Sequence, residues 1–105
     1  MGLLDGKVAI ITGGGKGIGF GIASAFAEQG ASLFITGRTE GRLAEAAEKL
    51  KGEYGADVAY TVAEGSDEAQ VEAAVAKCVE HFGKLDVMVN NAQASKSGTN
   101  LIDHT

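Results

Sequence analysis

The sequence predicts an α/β fold, the first half of a doubly wound parallel sheet with strand order 3-2-1-4. Four short apolar runs alternate with three segments of helical periodicity, which is typical of β-α-β units. The connections are short, which favours parallel strands and right-handed crossovers. The first apolar run also ends in a glycine-rich stretch, residues 12–19, that leads into a helical pattern. In this strand order the loops after strands one and four open into one crevice.

The first strand and helix follow from the start of the chain. Residues 8–11 form a continuous apolar run, as expected for a strand that is buried on both faces. A helix is predicted from near Gly17 to about Gln29. Its apolar face is predicted to carry residues spaced by four: Ile18, Ile22 and Phe26.

The second strand and helix occupy the middle of the chain. Residues 31–36 are predicted as a short buried strand. Thr39 is predicted to cap a helix that ends in the glycine-containing stretch 52–55. The apolar positions of this helix keep the helical period: Leu43, Ala46, Ala47 and Leu50.

The third unit completes the predicted half-sheet. Val58–Val62 is the third strand, Ser66 is predicted to cap the third helix, and Gly83 ends it. Residues 85–90 form the fourth strand. The third helix carries one apolar face: Val71, Val75, Cys78, Val79 and Phe82.

Composition limits the possible functions. The 105 residues, 45% of them hydrophobic, suffice for one domain at most. A net charge of −5 argues against a nucleic-acid partner. The single cysteine, Cys78, is expected in the core, and His81 and His104 lie too far apart in the sequence for a metal site. With neither a targeting segment nor a long apolar run, we expect a cytoplasmic protein without a membrane partner.

The glycine-rich stretch predicts a phosphate site. Five glycines within seven residues let backbone N–H groups approach a ligand, and the following helix directs its positive dipole end at the same space. A P-loop is excluded because Lys16 is not followed by Ser or Thr. The strict G-x-G-x-x-G pattern does not fit either, and a plain glycine-rich turn stays open as an alternative.

Two motifs together resemble the classical short-chain dehydrogenase/reductase family: T-G-G-G-K-G-I-G at 12–19 and D-V-M-V-N-N-A-Q at 86–93. The resemblance implies a Rossmann fold in which residues 1–105 are the N-terminal part of the NAD(P)-binding domain, with the catalytic part after residue 105. It also implies which residues touch or shape the cofactor site: Gly13, Gly15, Lys16, Gly17, Ile18, Asn90 and Ala92.

Two departures from the family pattern concern the adenosine side of the site. Gln93 stands where the motif ends in glycine. Glu64 and Gly65 stand where the family commonly has Asp followed by an aliphatic residue beside the adenine. We expect Glu64 to accept a hydrogen bond from the adenine amino group.

The end of the second strand predicts a preference for NADP(H) over NAD(H). An acid at this position binds the ribose hydroxyls, whereas an arginine accommodates the 2′-phosphate, and here the residue is Arg38. The resemblance places Lys16 near the same phosphate. The alternative is that both are solvated surface cations.

The chemistry implied by the resemblance is reduction of a carbonyl or oxidation of an alcohol. The family uses a Tyr with a Lys four residues on, and neither Tyr54 nor Tyr60 is followed by such a lysine, so no catalytic residue is predicted in this segment. We expect an enzyme similar to 3-oxoacyl-acyl-carrier-protein reductases or to sugar or steroid alcohol dehydrogenases. The alternatives are a noncatalytic dinucleotide-binding module and a structural interaction domain.

The partners expected from the resemblance are a small-molecule or acyl-carrier substrate and further copies of the chain. Strand four is apolar on both faces but lies at the sheet edge in the order 3-2-1-4. We therefore expect the intact protein to be a homo-oligomer, a dimer or tetramer, and residues 1–105 alone not to persist as a monomer.

Overall fold

The computed structural model describes residues 2–13, 17–64 and 67–90, which form a four-stranded parallel sheet in the order β3-β2-β1-β4. This confirms the predicted fold class and strand order. Strands and helices alternate along the described chain as β1 (Val8–Thr12), α1 (Gly17–Glu28), β2 (Ser32–Gly37), α2 (Glu40–Tyr54), β3 (Val58–Val62), α3 (Glu68–Phe82) and β4 (Val87–Asn90).

The central strand β1 is buried along its whole length, as its unbroken apolar run predicts. Ile11 faces a cluster formed with β2, α1 and α2, which includes Leu33 and Leu50. Ile10 faces the other side of the sheet and packs in a cluster with Cys78 of α3. Helices therefore cover both faces of the sheet, which is the arrangement of a doubly wound fold.

The predicted apolar face of α1 is confirmed only in part, because Ile22 and Phe26 pack against the core while partly exposed and Ile18 does not. Ile18 is 76% exposed, whereas Gly19, Ala23 and Ala27 are buried. The physical reason is that small side chains let the helix backbone approach the sheet closely, so the larger apolar residues flank the line of contact. Helix α3 shows the same effect, because Ala74 and Cys78 are buried while Val79 is 41% exposed.

The predicted apolar face of α3 is confirmed in part. Cys78 lies in the core, and Val75 and Phe82 pack against the same cluster while partly exposed.

The predicted caps are only partly correct. Thr39 occupies the N-cap of α2, but its side chain makes no capping hydrogen bond. Helix α3 is capped by Asp67, whose Oδ1 accepts from the N–H of Gln70 at 3.2 Å, and not by Ser66, which lies outside the described residues. An aspartate directly before the helix satisfies the free N–H groups of the first turn. Helix α2 ends at Tyr54 with Gly55 as its C-cap, within the predicted stretch 52–55.

A reciprocal pair of hydrogen bonds fastens the start of β4 to β1. The N–H of Val8 donates to Oδ2 of Asp86 at 2.8 Å, and the N–H of Asp86 donates to the carbonyl of Val8 at 2.9 Å. The ammonium of Lys84 lies 3.1 Å from the same carboxylate oxygen and also donates to the carbonyl of Gly6. The N–H of Val8, followed by Lys84, holds the pKa of Asp86 below its ordinary value of 3.8.

We predict that Ala23→Leu destabilises the fold, because Ala23 is fully buried where α1 meets the sheet. Overpacking of this kind costs about 1–3 kcal/mol in the free energy of unfolding. Ala25→Leu adds the same side chain on the exposed face of α1 and is expected to change stability by less than about 0.5 kcal/mol. Urea unfolding of the whole protein measures both, and equal stabilities of the two variants would contradict the packing of α1.

We predict that Asp86→Asn destabilises the protein at neutral pH. Because the pKa of Asp86 is lowered in the folded state, its stabilisation is present above 3.8 and is lost as the pH falls through the folded value. The stability gap between wild type and variant should therefore shrink on acidification below that pH. Urea unfolding across the acid range tests this, with Asp57→Asn, an exposed aspartate, as control. A gap that does not vary with pH contradicts the prediction.

Candidate functional site

The carboxyl ends of the four parallel strands lie along one edge of the sheet. The ladder pairs Thr12 with both Thr36 and Asn90, and Gly37 with Val62. The strand order reverses between β1 and β4, and ligands of open α/β sheets bind in the crevice outside such a reversal. The candidate site therefore begins where Thr12 and Asn90 end their strands.

Thr12 is a site residue that the sequence prediction did not single out. It is buried, and its Oγ1 donates to the carbonyl of Val89 at 3.3 Å, which joins β1 to β4 at the reversal point. The available signal was a β-branched polar residue that closes an otherwise apolar buried run. Thr12 thus adds a side-chain hydrogen bond to the backbone pairing of the two strands from which the site opens.

Two predicted glycines have backbone conformations that other residues adopt at a cost. Gly13 has φ 71°, and its N–H donates to the carbonyl of Thr36 at 2.8 Å. Gly17 has φ 59° and begins α1, and a Cβ built on it would meet no atom within 4 Å. The chain therefore leaves β1 and enters α1 through left-handed glycines, with open space beside Gly17.

The first turn of α1 also favours an anion. It contains no acidic side chain, so the helix does not neutralise its own positive end. The exposed side chain of Ile18 lies in this turn and is available for contact with a ligand.

Arg38 and Glu64, predicted as separate parts of the site, lie next to each other. They follow β2 and β3, whose ends are joined by the N–H of Ala63 donating to the carbonyl of Gly37 at 2.8 Å. Nη1 of Arg38 is 3.7 Å from Oε2 of Glu64, and their side chains are 76% and 40% exposed. A cation and an anion therefore flank the end of β2, where the ribose was predicted.

Gln70 is a second residue that the sequence prediction missed. Its Oε1 accepts from the N–H of Glu64 at 2.7 Å, and its Nε2 donates to Oδ2 of Asp67 at 3.1 Å. The spacing D-x-x-Q at 67–70 is a capping-box signal. Here the side chain of Gln70 bonds to the N–H of Glu64 and so fixes the backbone of that residue.

The remaining predicted site residues are not described in full. Asn90 is placed by its backbone pairing with Thr12. The other predicted positions, and two residues discussed with them, lie outside the described residues: Gly15, Lys16, Gly65, Ala92, Gln93 and His104.

The described part of the chain offers no competing chemistry. Within residues 2–13, 17–64 and 67–90, no group of three or more His, Cys, Asp or Glu side chains could hold a metal ion. Burial raises the pKa of the Cys78 thiol, which disfavours the nucleophilic thiolate. Among the described helices, none has both the length and the apolar character needed to span a membrane.

The chain is similar to known proteins over most of its length. A family model described as short chain dehydrogenase matches residues 7–103. A 12alpha-hydroxysteroid dehydrogenase from a Clostridium species is 52% identical over 104 residues, covering 93% of this chain and 40% of the relative. A 3-oxoacyl-acyl-carrier-protein reductase from Chlamydia muridarum is 44% identical over 90 residues, covering 86% of this chain and 36% of the relative.

A solved structure extends the comparison. The L-sorbose reductase from Gluconobacter frateurii, solved in complex with NADPH and L-sorbose, superposes with a TM-score of 0.81 at 41% identity. The superposition covers 88% of this chain and 35% of the reductase. The chain thus spans about two fifths or less of the length of these relatives.

We predict that Gly17→Ala destabilises the protein by about 1–2 kcal/mol, the usual cost of a left-handed conformation for an L-residue. Since an added Cβ would meet no atom, the cost should come from the backbone alone. Gly21→Ala is the matched control, because Gly21 lies inside α1 with equally open surroundings and without a positive φ. It should stabilise the protein by about 0.5–1 kcal/mol. Denaturant unfolding distinguishes the two, and effects of the same sign would contradict the turn geometry.

Proposed function

The chain belongs to the short-chain dehydrogenase family, and on that premise we propose that it is the cofactor-binding part of an NADP(H)-dependent oxidoreductase that interconverts an alcohol and a carbonyl. One observation carries the proposal. The left-handed glycines Gly13 and Gly17 lie at the strand-order reversal, where β1 leads into the N-terminus of α1.

The residues at this turn fit a dinucleotide. Open space beside Gly17 and the first turn of α1 without acidic residues suit a pyrophosphate, which would be held by backbone N–H groups. Gly15, Lys16, Gly65 and Ala92 are proposed to complete the site. Ile18 and Asn90 would line the crevice, and Glu64 would accept a hydrogen bond from the adenine amino group. When bound, the nicotinamide supplies or accepts the hydride.

We propose a preference for NADP(H) because Arg38 is the first residue after β2 and its side chain is exposed. The exposed guanidinium has donors free to bind the 2′-phosphate of the cofactor. Lys16 is proposed as the second cation. The binding of NADPH by the L-sorbose reductase supports this choice of cofactor.

The substrate class is proposed from the relatives, which are named for a hydroxysteroid, a 3-oxoacyl carrier and L-sorbose. Their shared chemistry is a CH–OH group or its carbonyl, on a small molecule or an acyl carrier. Tyr54 and Tyr60 lack a lysine four residues on, so we propose that the proton donor lies outside residues 1–105. We further propose a cytoplasmic homo-oligomer, a dimer or tetramer.

The proposed function is tested by titrating the whole protein with NADPH and NADH and by assaying turnover with hydroxysteroids, keto sugars and 3-oxoacyl substrates. Binding together with turnover supports the proposal. Binding without turnover on any alcohol or carbonyl supports the alternative, a noncatalytic dinucleotide-binding module. Absence of binding to both dinucleotides overturns the cofactor site itself.

We predict that Arg38→Asp weakens NADPH binding by about tenfold or more and does not weaken NADH binding, since an acid at this position can bind the ribose hydroxyls. The loss of one charge-assisted hydrogen bond, worth about 1.5 kcal/mol, corresponds to roughly a tenfold change in Kd. Lys49→Asp, on the exposed side of α2, makes the same change of charge and should leave both affinities unaltered. Calorimetric titration measures the Kd values, and an unchanged ratio of NADH to NADPH affinity in Arg38→Asp contradicts the role of Arg38.

A further inference from the structure

We propose that Glu64 is a specificity-determining residue whose carboxylate competes with the 2′-phosphate of the cofactor for the guanidinium of Arg38. This competition would reduce the preference for NADP(H) that Arg38 alone provides. The inference rests on the proposed function, since it concerns the same site. It is carried by the ion pair between Nη1 of Arg38 and Oε2 of Glu64.

The geometry makes this pair suitable for exchange. The two atoms are 3.7 Å apart, which is longer than the 2.7–2.9 Å typical of a charge-assisted hydrogen bond between such groups. The Arg38 side chain is 76% exposed, so its other donors face solvent. A loose and exposed pair of this kind holds the guanidinium weakly, and a phosphate dianion can replace the carboxylate.

The backbone of Glu64 is held in place through both its N–H and its carbonyl. Its N–H donates to Oε1 of Gln70 at 2.7 Å, and its carbonyl accepts from the N–H of Asp67 at 3.0 Å. Gln70 is itself held by both carboxylate oxygens of Asp67. Glu64 therefore cannot withdraw as a whole when an anion approaches Arg38, and its carboxylate remains within reach of the cation.

The competition acts on one cofactor only. The 2′-phosphate and Glu64 would share the positive charge of one guanidinium, so that binding of the phosphate weakens the contact between Arg38 and Glu64. The 2′-hydroxyl of NADH is uncharged and does not compete for Arg38. A hydrogen bond between Glu64 and the adenine amino group would be common to both cofactors, so it cancels in the ratio of their affinities.

The test is calorimetric titration of the whole protein and its Glu64→Gln variant with NADPH and with NADH. Loss of an exposed ion pair of this kind should lower the Kd for NADPH by about threefold to fivefold relative to the Kd for NADH. Glu80→Gln is the matched control, because it makes the same change of charge near the other end of α3. It should leave the ratio of affinities unchanged.

Two further variants test how Glu64 acts. Glu64→Asp withdraws the carboxylate from Arg38 by one methylene and should shift the ratio of NADPH to NADH affinity in the same direction by a smaller factor. This variant replaces Glu64→Gln in the test if Glu64→Gln folds poorly. In an Arg38→Gln background, Glu64→Gln should lose at least half of its effect. An undiminished effect there means direct repulsion of the phosphate and overturns the competition.

The outcomes separate this inference from the proposed function. If the wild type binds NADPH and Glu64→Gln leaves the affinity ratio unchanged, the competition is overturned while the cofactor site stands. If the wild type binds neither dinucleotide, the proposed function fails and the inference fails with it.

Discussion

The structure depends on the burial of β1 between two parallel neighbours. No residue of β1 is more than 4% exposed, and its ladder partners lie in β2 on one side and β4 on the other. A strand in this position cannot present side chains to a ligand along its length. Recognition is therefore confined to its carboxyl end, where the backbone of Gly13 emerges and α1 begins beyond it. The same burial that stabilises the core places the functional residues in loops, which tolerate the special backbone geometry that they need.

The fold was predictable from the sequence because its signals are periodic. Apolar runs, glycine stops and short connections together predict a parallel sheet with covered faces, and the order β3-β2-β1-β4 is the usual one for the first half of a doubly wound sheet. The predictions that were wrong depend on the distances between elements, which the periodicity of the sequence does not give. Ile18 and Ala23 are both apolar residues of α1, and only the separation of helix and sheet decides that the smaller residue is buried. Likewise Asp67, and not Ser66, caps α3 because the helix begins one residue later than the pattern indicated.

Parts of the candidate site could be predicted where the type and position of a single residue suggest its role. The glycines of the turn and Arg38 were picked out by residue type and by position after a strand, whereas the positive φ of Gly13 and Gly17 was not predicted. The proximity of Arg38 and Glu64 was not predictable, since it requires the register that pairs Gly37 with Val62. Gln70 was missed for a related reason: the capping pattern is visible in the sequence, but the contact of its side chain with the N–H of Glu64 is visible only in the structure.

The reciprocal bonds between Val8 and Asp86 have a consequence for synthesis on the ribosome. These partners are separated by 78 positions. At a translation rate of about 5–20 residues per second, β1 emerges roughly 4–16 s before the residue that closes its second edge. During that interval β2 can already pair with β1, whereas the opposite edge has unpaired N–H and C=O groups. The nascent chain is therefore most exposed to incorrect pairing along the strand that becomes the most buried in the finished molecule.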